Sequence, residues 1–304
     1  MRNRICSFIC SLFLVGSLSG QELINISNTL YLHNPAVTGL KGDINFLGQY
    51  FGLSHTNIAS FHNARFFLEG RLPIFKESTQ LNLAAGFAYE RDEIGFLTEN
   101  NWSFSVANHF MFQNESKLSL GISATQRRMY FDNSNVVYPT GPSVGFINIK
   151  ELKIAHRYSV GGLFESVDKT VVFGGGFSNE NANQSGLYRI NASLGKAFEL
   201  GKNFVLSVNT FNEFAFANTS WLIAVPVKIH YKKSFYFGAT VATSQYIGAI
   251  TGARLNYKKV GTFEIGGGYF TPLSKLTNHR GAGAQIFLNY YFTNPEKSES
   301  FSYF

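Results

Sequence analysis

Seven histidines are the residues of this chain best equipped for proton transfer or metal binding: His33, His55, His62, His109, His156, His230 and His279. None is paired at the i, i+4 spacing that sets two ligands on one helix face. A serine–histidine–carboxylate triad is defined by geometry rather than chain order, so spacing alone does not dispose of one. Yet no G-x-S-x-G elbow marks a nucleophile. Cys6 and Cys10 lie in a leader-like segment, neither with the small residues before it that a lipoprotein cleavage site wants. The mature chain is therefore expected to hold no disulfide, thiolate metal site or cysteine nucleophile. Arg91-Asp92-Glu93 and Asn181 to Gln184 could hold calcium, but solvated loop charge explains them as well. Gly174-Gly175-Gly176 and Gly266-Gly267-Gly268 are not followed by Lys-Ser/Thr or by a helix, so they are glycines of a curved wall and not a phosphate loop. The expectation is a protein that is not an enzyme, with no catalytic residue, no cofactor and no metal.

The elements that carry these residues show in Leu81 to Phe112. Leu81, Leu83, Ala85, Phe87 and Tyr89 alternate with small or polar residues. Trp102, Phe104, Val106, Phe110 and Phe112 then alternate with Asn101, Ser103, Ser105, Ala107 and His109. Period 2 means strands with one apolar face. Each run is about ten residues, the length of a tilted strand crossing a bilayer. Aromatic residues make up 16% and charged residues 15%, against about 25% charged in ordinary domains. This composition predicts an all-β, transmembrane, antiparallel up-and-down barrel of the outer membrane with a lipid-facing aromatic exterior. His62 and His109 fall among the polar residues of strands, which predicts lumen hydrogen bonds for both.

Residues 1–20 read as a signal peptide: Arg2 and Arg4 precede the apolar run Ile5 to Val15, and Ser17, Ser19 and Gly20 suit cleavage before Gln21. Removing those two arginines lowers the net charge from +7 to about +5. The remaining basic residues are scattered, with pairs only at Lys232-Lys233 and Lys258-Lys259, so no nucleic acid partner is expected. Residues 21–40 are expected to form a periplasmic lead-in, there either to plug the barrel or to contact machinery. There Pro35 restricts Asn34 to extended geometry and Gly39 permits a turn. Residues 41–304 form the barrel.

About fourteen strands are expected, near 42–52, 58–69, 80–90, 101–112, 117–127, 153–164, 169–178, 187–198, 203–213, 219–230, 234–243, 247–257, 261–270 and 282–293. With periplasmic termini, the connections should alternate short and long. Gln113 to Ser116, Glu165 to Asp168, Glu199 to Lys202, Tyr231 to Lys233 and Lys258 to Val260 are the short ones. Arg91 to Asn100, Arg128 to Leu152, Ser178 to Gly186 and Thr271 to Gly281 are the long ones; Gly70 to Gln80 and Ser244 to Tyr246 break the pattern.

Tyr31-Leu32-His33-Asn34-Pro35-Ala36-Val37-Thr38-Gly39 resembles the N-terminal NPA-x-x-G signature of the PorP/SprF family of type IX secretion system membrane proteins. Asp92-Glu93-Ile94-Gly95 resembles its D-x-I-G loop, Leu118-Ser119-Leu120-Gly121-Ile122 its L-S-x-G strand, and Phe173 to Ser178 its aromatic-x-G-x-S strand. The likeness covers essentially the whole mature chain. Gln49-Tyr50 stands where members often carry an Arg and a Gln-Trp pair, and Ser54-His55-Thr56 where many carry a Pro.

The resemblance implies an integral outer-membrane barrel in Bacteroidota-type bacteria, held by outer-membrane lipid. It implies partnership with the type IX secretion machinery and with cargo proteins carrying C-terminal sorting domains, gliding adhesins among them. It marks Asn34, Pro35, Ala36, Gly39, Asp92 and Gly95 as structural or docking residues. Three other readings compete: an outer-membrane channel for small solutes, a lipid enzyme in the membrane, and a secreted β-sandwich adhesin.

Overall fold

Alternating side chains can satisfy both lipid and a filled interior only if the sheet closes on itself, because an open edge would leave backbone N–H and C=O groups unpaired in the membrane. The computed structural model shows that closure. It describes residues 30, 33–41, 43–53, 61–72, 82–94, 97–131, 153–168, 170–182, 185–217, 219–243, 246–257, 261–272 and 282–292. The expected signal peptide and Gly95 lie outside the described residues.

Fourteen strands follow in order: β1 (Ile44–Leu53), β2 (Phe61–Arg71), β3 (Asn82–Ile94), β4 (Leu97–Met111), β5 (Lys117–Phe131), β6 (Lys153–Glu165) and β7 (Val171–Ala182). The second half comprises β8 (Ser185–Glu199), β9 (Phe204–Ala215), β10 (Ser220–Tyr231), β11 (Phe235–Ala242), β12 (Tyr246–Tyr257), β13 (Gly261–Pro272) and β14 (Gly283–Phe292). Each pairs antiparallel with its chain neighbours, and β1 pairs with β14 from Ile44↔Phe292 to Leu53↔Gly283. Every strand expected from alternation is present. The barrel's two chain ends and the connections after even-numbered strands share one rim, the turn end. The connections after odd-numbered strands form the loop end.

Outward side chains such as Phe104 (62% exposed), Phe237 (63%) and Ile286 (65%) present the apolar wall. Inward ones are buried, and they are not all small or polar. Phe51, Tyr246, Ile250 and Phe270 pack together inside, as do Leu47, Phe67, Tyr236 and Phe287. These rings lie over glycines of adjacent strands. A Cβ on Gly248 would stand 2.0 Å from Phe270, one on Gly266 2.3 Å from Phe287, and one on Gly252 2.4 Å from Tyr236. The glycine-rich strands are thus shaped to receive luminal rings.

Two expectations need correction. Long connections were predicted at Arg91 to Asn100 and Ser178 to Gly186. Instead the strands run on, leaving only residues 95–96 between β3 and β4 and 183–184 between β7 and β8. Charged, alternating residues such as Glu90 to Glu93 pair as readily in a hairpin above the membrane as within it. His62 was expected in the lumen. It shares parity with the outward Phe66 and Leu68, and its Nδ1 lies 2.6 Å from the Tyr50 hydroxyl on the outer face.

At the turn end, Asp168 is held between β6 and β7. Ser166 Oγ donates to it at 2.5 Å, Thr170 Oγ1 at 2.8 Å and the Thr170 amide at 3.1 Å. These donors, the two hydroxyls foremost, pull its carboxyl down to about 2. A depressed folded pKa stabilises above the unfolded value and is lost as pH falls through the folded one. The Thr170 amide is therefore expected to lose exchange protection as pH falls from about 4 to 2, an effect that Asp168→Asn removes. A second expectation concerns the wall. Ile122 points outward mid-way along an apolar column (61% exposed), so Ile122→Arg should cost about 2–4 kcal/mol. Urea titration of protein folded into lipid vesicles measures that loss.

Candidate functional site

Residues 33–40 lie inside the barrel, because they bond inward-facing side chains of β2, β4, β8 and β9 and the wall between them. Asn34 sets the local geometry. Its backbone is extended (φ −134°, ψ 101°), as the following Pro35 requires. Its Oδ1 accepts from the Ala36 amide at 3.0 Å, capping a 3₁₀ turn over Pro35–Val37. Its Nδ2 donates to the Gly162 carbonyl on β6 at 3.0 Å. One carboxamide therefore both folds the turn and fastens it to the wall.

The other polar groups of the segment are met in turn. Asn191 Nδ2 donates to the His33 carbonyl at 2.7 Å, and His33 Nδ1 lies 3.0 Å from Glu213 Oε2. Thr38 Oγ1 donates to Ser105 Oγ at 2.8 Å. His109 Nε2 lies 2.8 Å from the Thr38 carbonyl, which can only accept, so Nε2 carries a proton. In the neutral ring Nδ1 then accepts from Ser119 Oγ at 2.7 Å. At the end of the segment the Gly39 amide donates to Glu69 Oε2 at 2.9 Å, and Arg71 Nε donates to the Gly39 carbonyl at 3.2 Å. Gly39 has φ +73°, and a Cβ there would meet Ala84 Cβ at 2.3 Å, so both conformation and space call for glycine.

The wall under this segment has been emptied of side chains. Strand register joins Arg71, Ala84, Ala107, Gly121, Gly161, Gly176, Asn191 and Glu213 into one cross-strand row from β2 to β9. Arg71 closes β2 at the turn end, whereas Glu213 stands two residues from the loop end of β9. The row therefore climbs the wall, as the tilt of barrel strands demands. A Cβ on Gly161 would fall 2.0 Å from Asn34 Oδ1, and one on Gly121 2.4 Å from the Pro35 carbonyl carbon. A trough of alanine and glycine thus holds the lead-in along its length.

Asn34, Pro35, Ala36 and Gly39 meet in this trough with Gly121 and Ser119 of the L-S-x-G stretch and Gly176 of the glycine run. Asp92 does not. It faces the lumen eight residues farther along β3 than Ala84, about 26 Å at strand rise. There it accepts from Asn63, beside the Arg65–Glu90 pair. A ladder of ion pairs continues from it, with Arg127 bridging Glu99 and Glu180, and Arg157 and Arg189 holding Glu180 and Glu213. Glu69, Arg71, Asn191 and Glu213 carry no local sequence signal, since their role depends on register. The paired glycines were the available clue.

Among the described residues, serine–histidine contacts join His109 to Ser119 and His230 to Ser207, the latter at 3.1 Å. Ser119 is 1% exposed and Ser207 0%, so both pairs are sealed inside packed wall and serve as luminal hydrogen bonds. Among the described residues no group of three or more His, Cys, Asp or Glu side chains could hold a metal ion.

Residues 24–290 match the family described as type IX secretion system membrane protein PorP/SprF. This chain belongs to the PorP/SprF family. As a PorP/SprF protein it is an outer-membrane component of type IX secretion, associated with that machinery, and its family and fold are those of a membrane barrel and not of an enzyme class. No curated protein matches the sequence significantly. Among solved structures, it resembles the outer membrane protein Omp33 of Acinetobacter baumannii with a TM-score of 0.51 at 10% identity, covering 83% of this chain and 98% of that one. It also resembles the P. putida toluene transporter TodX with a TM-score of 0.52 at 8% identity, covering 86% and 93%. At such identities the likeness is one of fold.

Asn34→Ala removes two hydrogen bonds and leaves the buried Ala36 amide unpaired, a cost of about 1–3 kcal/mol. Its expected signature is faster hydrogen exchange at residues 36–40 with strand amides unchanged. Gly121→Val should release the segment more fully, because its side chain and the Pro35 backbone claim the same space.

Proposed function

We propose that this PorP/SprF protein works in type IX secretion as a docking or anchoring barrel for cargo and machinery, and not as a conduit. The observation that carries this reading is the filled lumen. Inward side chains of the half-barrel opposite the trough are buried, among them Phe270 (1%), Gln285 (3%) and Asn289 (1%), although among the described residues no second layer of protein lies outside them. Wall residues facing an open water channel would be wet. In the other half residues 33–40 cover the row from Ala84 to Asn191.

In this reading the turn end faces the periplasm and meets machinery there, and the loop end faces outward and meets exported cargo. Cargo would be proteins with C-terminal sorting domains, gliding adhesins among them. The chain is made with a signal peptide, residues 1–20, removed before Gln21. Residues 21–40 are the lead-in, and 41–304 the membrane body. No catalytic step belongs to this role. Asn34, Pro35, Ala36 and Gly39 fix the lead-in and act on docking by keeping the barrel closed; Asp92 lies near the loop end of β3.

The test is deletion of the gene in its host, followed by quantitative proteomics of the surface and culture fluid. Loss of one or a few sorting-domain proteins is expected, and loss of all such cargo would mark a core part of the machine. Unchanged export would overturn the reading. In a planar bilayer the purified protein should show no steady conductance, and a stable open pore would favour the solute channel instead.

A further inference from the structure

The outer wall carries an amphipathic groove, built along β5 near the loop end. Ala124 forms its floor, with Phe104 of β4 on one side and Tyr158 of β6 on the other, each its cross-strand partner. One step up the strand, Gln126 lies between Trp102 and His156. Above that stands Arg128, whose Nε donates to Gln126 Oε1 at 3.2 Å. The groove is therefore small and aromatic at one end, polar and basic at the other.

Its depth in the membrane follows from the same column. Leu118, Leu120, Ile122 and Ala124 face outward in succession before the polar pair begins. At strand rise and tilt, Gln126 stands about 20 Å above Leu118, near where an apolar band about 25 Å tall gives out. Gln126, Arg128 and His156 thus sit at the interface of the leaflet on the loop side, with the aromatic end dipping into hydrocarbon. Arg128 and His156 are diagonal cross-strand neighbours, about 7–8 Å apart at their roots, a span that one anionic group can bridge. Arg91, level with Arg128 but two strands away, is held by Glu93 at 2.5 Å. The groove's own donor edge is Arg128 and His156.

We propose that this groove is a binding site for a phosphorylated glycolipid of the outer leaflet. A phosphate lies against Arg128 and His156, since a guanidinium and an imidazole N–H both donate to phosphate oxygens. The sugar stacks on Trp102 and bonds Gln126. An acyl chain runs down over Ala124, between Phe104 and Tyr158. The site is separate from the luminal trough and goes beyond the docking role. It would fix the barrel against lipid on the wall below the β5–β6 connection.

The test uses the full-length protein folded in detergent micelles, with bis-phosphorylated lipid A as probe and native mass spectrometry as readout. Dephosphorylated lipid A and phosphatidylethanolamine are the comparison lipids. One lipid A per barrel should be retained, with affinity about tenfold weaker for Arg128→Gln/His156→Gln and for the dephosphorylated lipid. Ala124→Phe, which fills the floor and leaves the charges in place, should also lose it. Phe237→Ala, on a wall remote from the groove, should bind as wild type. Heat modifiability on gels confirms that each variant remains a barrel. Equal retention by Arg128→Gln/His156→Gln, or equal binding of dephosphorylated lipid A or phosphatidylethanolamine, overturns the proposal and leaves ordinary bulk lipid on this wall.

Discussion

Closure of a tilted sheet is the constraint on which this structure depends. A closed sheet leaves no unpaired backbone edge in the bilayer, which is why fourteen strands of modest local propensity hold together. Closure also divides every strand into two surfaces with opposite solvents. The outer one is settled by lipid. The inner one must be filled or wet, and here much of it is filled.

The filling takes two forms, and each uses glycine as a way of removing bulk. On the side of β10 to β14 and β1, rings of Phe270, Phe287 and Tyr236 lie over Gly248, Gly266 and Gly252. On the side of β3 to β7, side chains are cleared along one register row and the chain's own residues 33–40 are laid into the trough. A buried peptide segment is tolerable only if its backbone groups find partners. Asn34, Asn191, His109, Glu69 and Arg71 supply them, from positions scattered across the sequence. The Asn-Pro-Ala turn is accordingly a device for turning a luminal cavity into a packed core.

A filled barrel changes what the membrane protein can offer its surroundings. Its useful surfaces become the two rims and the lipid-facing wall. The ion-pair ladder from Arg65 to Glu213 stiffens the loop-end half of the lumen. The basic, aromatic groove on β5 gives the outer wall a feature that plain hydrocarbon contact does not require.

Strand number, strand spans and the sidedness of most side chains were legible in the sequence, because alternation is a local property that lipid and core enforce residue by residue. The Asn-Pro restriction at Asn34 and the turn at Gly39 were legible for the same reason: they are backbone properties of single residues. The misreadings at His62 and at the β3–β4 and β7–β8 connections arose where polar residues continue a strand beyond the membrane and composition no longer tells inside from outside. What only the tertiary structure decided is register. Ala84, Ala107, Gly121, Gly161 and Gly176 are far apart in the chain, and nothing local says that they stand side by side. Closing the barrel at one stagger places them in a single rising row, and that row determines where the lead-in lies.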